Sequence, residues 1–156
     1  MPAKVRRYQI PPEVIEAEDL VEKTIQIAVP VVLLGKSVSV AIDSTGVKDA
    51  SGHFTLTSEM IKHLKEAYLE AQADTPSATD AAVDVELYNE TDGAVVAKVT
   101  FSGAGGHLKS GDIASSLKDL AGKVLSGRIN VTTASATSGA TQVFRSIVLL
   151  LVLGVS

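Results

Sequence analysis

Residues 83–101, VDVELYNETDGAVVAKVTF, decide the fold because they carry the clearest local pattern in the chain. Every second residue from Val83 to Leu87 is aliphatic, and the residues between them are polar. A period of two indicates a strand with one buried and one solvated face. Asp92-Gly93 is a favoured turn pair, and a largely apolar run follows it to Phe101. We therefore predict an antiparallel β-hairpin at the centre of the chain.

A second hairpin is predicted upstream of this centre. Residues 24–34 are rich in β-branched and apolar side chains, and residues 37–42 alternate between polar and apolar. Gly35-Lys36 separates the two runs in the manner of a hairpin turn. Pro30 lies inside the first run, and proline cannot donate to a sheet ladder, so it indicates an edge strand or a bulge.

A third hairpin is predicted at the end of the chain. Residues 128–134 would pair with residues 142–155 across a turn at residues 135–141. The last strand includes IVLLLVLGV, residues 147–155, which carries no charge. Nine residues are about half of what a helix needs to span a bilayer. We therefore interpret this segment as a buried strand and expect no membrane span.

Two segments between the hairpins are predicted to be amphipathic helices. Thr57 is a favoured N-cap residue, and the first helix would run from it to about Ala73. The second would cover about residues 113–125, with Gly127 closing it. The apolar side chains that recur at helical spacing in the first segment are Ile61, Leu64, Tyr68 and Ala71.

The order hairpin, helix, hairpin, helix, hairpin indicates an α+β fold of antiparallel β-hairpins, sandwich-like or two-layered, with two helices. A split βαββαβ sheet is the alternative. The chain has 156 residues, enough to bury one core. Because Pro2, Pro11 and Pro12 disfavour regular structure, we expect an extended N-terminal arm over residues 1–20. A single α+β domain would then occupy residues 21–156.

Composition sets several function classes aside. The net charge is −4 and aromatic residues make up 4% of the chain, which disfavours phosphate-backbone contacts and base stacking, so we expect no nucleic-acid partner. The absence of cysteine excludes disulfides and thiolate sites. Together with few Asn and Gln residues, it is compatible with a thermophilic source. No signal peptide is evident, so we expect a location in the cytoplasm or in an assembled particle.

The glycine-rich segment at residues 103–110 is the candidate for small-ligand binding. It lies between a predicted strand and a predicted helix, where a phosphate-binding loop would lie. The phosphate-loop and dinucleotide motifs both need a glycine where this chain has Leu108. A connector is therefore the favoured interpretation, with an anion-binding loop as the alternative. The residues of that alternative site are Gly103, Gly105, Gly106, Lys109 and Ser110.

No catalytic set is evident, and we predict no enzyme activity and no cofactor. The three histidines lack metal-ligand spacing, and no serine lies in a nucleophile-elbow motif. Residues 43–54 are predicted to form an oxygen-rich loop, in which Asp43 and Asp49 are candidate ligands for a hard cation. Turn chemistry explains this composition more simply, so we expect no metal site.

These observations favour a non-enzymatic structural subunit that self-associates, of the coat, filament or surface-assembly type. An uncharged apolar strand aggregates when it is exposed, so it must be covered by its own domain or by a partner. A homo-oligomer is the expected partner state, with the N-terminal arm reaching onto a neighbour. The alternative is a module that binds a small ligand or a partner through residues 103–110. The predicted self-association residues are Ile147, Leu149, Leu151 and Leu153.

Overall fold

Nine strands and two short helices make up residues 25–154, the part of the chain that the computed structural model describes. The predicted arm over residues 1–20 lies outside these residues. In chain order the elements are β1 (Gln26–Leu34), β2 (Val38–Ala41), β3 (Gly46–Thr55), α1 (Ser58–His63), β4 (Leu64–Ala73), β5 (Ala82–Asn89), β6 (Ala94–Ser102), β7 (Gly106–Lys109), α2 (Ala114–Leu117), β8 (Val124–Thr133) and β9 (Thr141–Gly154).

The strands form two antiparallel sheets. The first sheet has the order β1-β9-β4-β7, and β2 also pairs with β9. The second sheet has the order β3-β8-β5-β6. The predicted α+β class with antiparallel strands is therefore confirmed at this level, while the alternative of one split βαββαβ sheet is wrong.

The central hairpin is confirmed. β5 and β6 pair from Ala82 opposite Ser102 to Asn89 opposite Ala94. Gly93 has a φ of 71°, a conformation that glycine adopts without steric strain. The side chains of Val83, Val85 and Leu87 are buried in the core, as the alternation predicts.

The predicted first hairpin is wrong, because β1 and β2 do not pair with each other. Both run antiparallel to β9 along the same edge, Leu34 opposite Ile147 and Val38 opposite Phe144. Residues 35–37 therefore form a bulge-like break in one long edge and do not reverse the chain. The expectation for Pro30 is confirmed: it lies in β1, an edge strand whose register shifts between Val32 and Leu34.

The predicted third hairpin is also wrong, because its two strands belong to different sheets. β8 pairs with β3 and β5 in the second sheet, whereas β9 pairs with β1, β2 and β4 in the first. Residues 134–140 thus connect the sheets. The terminal segment is a central strand, as predicted, since β9 has neighbours on both sides. Only one of its faces is buried: Ile147, Leu149 and Leu151 are fully buried, whereas the side chains between them are partly exposed.

Much of the first predicted helix is a strand. Thr57 caps α1 as predicted, and its hydroxyl accepts a hydrogen bond from the Met60 amide at 3.2 Å. The helix ends at His63, and β4 follows without a loop. In β4 every second side chain from Ala67 to Ala73 is buried against the core. Pairing with both β9 and β7 outweighs the helical pattern in this segment.

Three further boundaries differ from the sequence prediction. Residues 43–54 were expected to be a loop, but most of them form β3, which pairs with β8. The second helix is reduced to α2, Ala114–Leu117. Gly127 does not close a helix; it lies inside β8, opposite Ser51 and Leu87. Neither helix in residues 25–154 is long and apolar enough to cross a bilayer.

Side chains from both sheets belong to one hydrophobic core. Phe101 on β6 and Phe144 on β9 meet edge to face, with ring centroids 5.6 Å apart. Gly127 on β8 lies against the first sheet: a Cβ at this position would be 3.0 Å from Leu33 Cβ and 3.3 Å from two carbons of Ile147. The glycine therefore permits a close approach between the sheets at this point.

Candidate interaction surface

The predicted self-association residues on β9 face the core of their own chain. Ile147, Leu149 and Leu151 are completely buried, and Leu153 packs against the same core cluster. Successive side chains of a strand point to opposite faces, so these four residues share the inner face. The surface that β9 offers to a partner is made by the alternate set, which the sequence argument did not select.

That alternate set is apolar as well. Val148, Leu150 and Val152 are partly exposed. On the neighbouring edge strand, Val32, Pro30 and Ala28 stand directly opposite them. Facing pairs on one side of an antiparallel sheet lie about 5 Å apart, so the six side chains are contiguous. We call these residues the apolar stripe: Ala28, Pro30, Val32, Val148, Leu150 and Val152.

The opposite border of the stripe is polar and lies on β4. Glu66, Tyr68 and Glu70 stand opposite Val152, Leu150 and Val148, respectively. The Tyr68 hydroxyl donates to Glu66 Oε1 at 2.7 Å, and this bond raises the pKa of the tyrosine above its ordinary value. These three residues, Glu66, Tyr68 and Glu70, are the acidic border of the stripe.

Two residues of β7 support this border. Lys109 Nζ lies 4.2 Å from the centre of the Tyr68 ring, a cation–π contact. His107 Nε2 lies 2.9 Å from Glu70 Oε1. The surface therefore has an apolar centre with a polar rim on one side, the anatomy that is typical of protein–protein contacts.

Exposed large hydrophobic side chains concentrate at the other border, on or beside β1, an edge strand of the first sheet among the described residues. Val32, in the stripe, is 57% exposed. Ile27 is 51% exposed and stands opposite Leu153, on the other face of the sheet from the stripe, and Ile25 just before β1 is 37% exposed. The remaining large exposed aliphatic side chains in the described residues are on edge strands of the second sheet, Val47 on β3 and Val95 on β6. Three of the five such residues are thus on or beside β1.

The outer face of the second sheet is polar, in contrast to the stripe. Asp84 accepts hydrogen bonds from Lys98 Nζ at 3.0 Å and Thr100 Oγ1 at 2.6 Å. Glu86 Oε2 accepts a hydrogen bond from Asn130 Nδ2 at 3.2 Å. Both carboxylates are buried beneath their neighbours, which sequence alternation alone did not indicate because their positions were expected to be solvated.

An ion pair completes this polar face. Arg128 donates to both oxygens of Glu90, at 3.0 and 3.1 Å, and its guanidinium lies 3.6 Å from the centre of the Tyr88 ring. The Ser126 hydroxyl also donates to Glu90, and this hydrogen bond, with Arg128, holds the pKa of that carboxyl below its ordinary value. The carboxylates of Asp84 and Glu90 on this face are therefore paired with cations, and that of Glu86 is hydrogen-bonded to Asn130.

The glycine-rich segment contains a strand, β7, where a connector was the favoured interpretation. The backbone amides of Gly103 and Ser110 donate to the carbonyls of Ala81 and Leu69 at 3.0 and 2.8 Å, so both are already engaged. Lys109 contacts Tyr68, and the Ser110 hydroxyl accepts from the Leu69 amide at 2.9 Å. Three of the five residues of the predicted anion site, Gly103, Lys109 and Ser110, are thus engaged within the fold.

Glycines in this segment allow two loops to pack closely. A Cβ at Gly103 would overlap the Thr79 carbonyl, and one at Gly105 would overlap the backbone of Asp74. Buried Gln142 joins the same loops: its Nε2 donates to the carbonyls of Asp74 and Ala104 at 2.9 and 3.1 Å. Sequence reasoning missed Gln142 because no local pattern marks it.

The two candidate cation ligands, Asp43 and Asp49, each accept a hydrogen bond from a different part of the fold. Asp43 Oδ2 accepts from the Gly139 amide at 2.8 Å, whereas Asp49, on β3, accepts from the Ser51 hydroxyl at 3.3 Å. No group of three or more His, Asp or Glu residues in the described range could hold a metal ion. His63 and His107 contact Glu59 and Glu70, respectively.

No protein-family model matches the chain, and no curated protein matches it either.

Proposed function

We propose that this protein is a non-enzymatic structural subunit that self-associates through the apolar stripe, of the coat, filament or surface-assembly type. The observation that carries the proposal is the contrast between the two outer faces. The second sheet presents paired charges, whereas the first presents contiguous aliphatic side chains beside an edge strand on which Val32 is 57% exposed. A contiguous apolar patch rimmed by polar residues is typical of an interaction site.

The energy available from the stripe is of the size that an association needs. Completing the burial of a half-exposed Val or Leu contributes about 1 kcal/mol. The stripe has four Val or Leu side chains, three of them less than half exposed, so two surfaces together contribute less than about 8 kcal/mol. Association costs about 4–15 kcal/mol in lost freedom of movement. The stripe can thus drive association only near the lower end of this cost, unless the border also contributes.

A contact through the face is favoured over pairing of β1 edges. Pro30 lies near the middle of β1 and has no amide hydrogen to offer an added strand. Proline on an edge strand is one of the devices that prevent edge-to-edge pairing. Contact through the apolar stripe, by contrast, involves side chains and requires no backbone hydrogen-bond donors.

We also infer that the two sheets are the layers of a sandwich-like domain. The close approach at Gly127 and the ring contact between Phe101 and Phe144 support this arrangement. In such a domain each sheet has one face in the core and one outside. The stripe would then be the outside of the first layer.

The test compares one valine in the stripe with one outside it. Val32→Lys should lower the molar mass measured by size-exclusion chromatography with light scattering, because a charge would enter the apolar contact. Val95→Lys is the matched control, since Val95 is also on an edge strand and is 48% exposed, but on the second sheet. A wild-type protein that is monomeric at all concentrations would contradict the proposal.

A further inference from the structure

We propose that residues 4–12 of a second copy bind across the apolar stripe, with their basic side chains against the acidic border. This inference rests on the proposed function and names the segment that covers the stripe. Its basis is the shape and charge of the described surface together with the sequence of the segment, KVRRYQIPP.

The charges of the two surfaces are complementary. The segment carries Lys4, Arg6 and Arg7, the one cluster of cations in the sequence. The acidic border presents Glu66 and Glu70 on one side of the stripe. The two lie four residues apart on the same face of β4, with Tyr68 between them. No ionisable side chain lies along β1 on the other side of the stripe. The charges therefore favour one orientation of the segment across the sheet.

The segment also has apolar side chains for the stripe. Tyr8 and Ile10 point to the same side of an extended chain, so both can face the stripe at once. Pro11 and Pro12 favour extended backbone and so reduce the entropy lost on binding.

The choice of a second copy over the same chain follows from the proposed function, in which the apolar stripe is the contact between subunits. Binding of the segment within its own chain is the alternative, and the second experiment below separates the two.

The first experiment measures the self-association constant of full-length variants by analytical ultracentrifugation. Arg6→Glu with Arg7→Glu should weaken association about tenfold, the value of two exposed ion pairs near 0.7 kcal/mol each. The control, Lys48→Glu with Lys62→Glu, makes the same change in net charge outside the stripe and should leave the constant unchanged.

The second experiment mixes two defective proteins, the Arg6→Glu/Arg7→Glu variant and Val32→Lys. Exchange between copies predicts partial recovery, because the first variant has an intact stripe and the second an intact segment. If the arm variant is weakened and the mixture shows no recovery, the segment acts within its own chain and the inference is wrong. If the arm variant associates like the wild type while Val32→Lys does not, the inference fails and the proposed function stands. If the wild type is monomeric, both fail.

Discussion

Gln142 shows how one buried side chain can hold two loops in place. Its amide nitrogen donates to the carbonyls of Asp74 and Ala104, which belong to segments far apart in sequence. Arg145, three residues along β9, binds the carboxylate of Asp74 and holds its pKa below the ordinary value. The two β9 side chains thus fix the backbone and the side chain of the same loop residue.

Gln142→Ala should therefore destabilise the protein by about 2–3 kcal/mol. The substitution removes two hydrogen bonds and leaves two carbonyls without their partner in a buried place. Urea unfolding followed by circular dichroism would measure the change. Gln72→Ala is the control, because Gln72 is exposed on β4 and should change the unfolding free energy by less than about 0.5 kcal/mol. Equal effects of the two substitutions would show that the Gln142 bonds do not matter for stability.

The glycine-rich segment illustrates what residue patterns can indicate and what they omit. The sequence marks residues 103–110 as glycine-rich and favours a connector, with an anion-binding loop as the alternative because phosphate cradles have a similar local composition. It does not indicate that a side chain is excluded at Gly103 or Gly105. In the fold the excluded volume belongs to Thr79 and Asp74, more than 20 residues away. No local pattern carries that information, since it depends on which loops meet.

At the scale of elements, the sequence predicted local features better than strand partners. The hairpin at residues 83–101, the Thr57 cap and the edge position of Pro30 are each determined by a few adjacent residues, and all three are confirmed. β4 was misassigned because its apolar residues satisfy a helical and an alternating pattern at once. Its pairing with β9 decides between them, and pairing with a strand about 80 residues away cannot be read locally.

The candidate surface also depends on strand partners, which the sequence did not predict. Sequence reasoning identified β9 as the apolar strand but selected the side chains that face inward. The composition of the strand cannot decide between its faces, because Ile147, Leu149 and Leu151 alternate with residues that are equally apolar. The choice depends on register with β1 and β4, and a shift of one residue exchanges the two faces.

Asp112 joins two elements and makes the stability of the fold sensitive to acid. Its Oδ1 accepts from the amides of Ala114 at 2.9 Å, at the start of α2, and of Ala67 at 3.0 Å, in β4. These bonds hold the pKa of the Asp112 carboxyl below its ordinary value. The ionised form thus stabilises the fold above the unfolded pKa of about 3.9, and this contribution is lost as the pH falls through the folded pKa.

Asp112→Asn should consequently lower the unfolding free energy at pH 7, and the difference from the wild type should shrink as the pH falls from about 5 to about 2. Urea titrations at several pH values would measure it. The control is Asp119→Asn, because Asp119 is exposed and makes no side-chain hydrogen bond within the described part of the chain. A difference between wild type and Asp112→Asn that does not change with pH would contradict the assigned role of the carboxylate.

At the scale of the whole molecule, β9 and β8 organise the two sheets. β9 pairs with three strands in the first sheet, and β8 pairs with β3 and β5 in the second. The two strands are consecutive in the chain, so residues 134–140 carry the chain from the second sheet to the first. Within this segment, the Ser135 amide donates to the carbonyl of Ile42, which directly follows β2 of the first sheet, at 2.8 Å. The Ser135 hydroxyl donates to Asp80.

Gly127→Ala tests how closely the sheets approach each other. The added methyl group would meet Leu33 Cβ at 3.0 Å and two carbons of Ile147 at 3.3 Å, closer than ordinary carbon contacts, so these side chains must give way by a few tenths of an ångström. Overpacking of this kind costs about 1–3 kcal/mol, which thermal and urea unfolding would both detect. Gly111→Ala is the matched control, because its Cβ would meet nothing within 4 Å. If both variants unfold alike, the sheets do not pack against each other at Gly127, and the sandwich-like arrangement loses its main support.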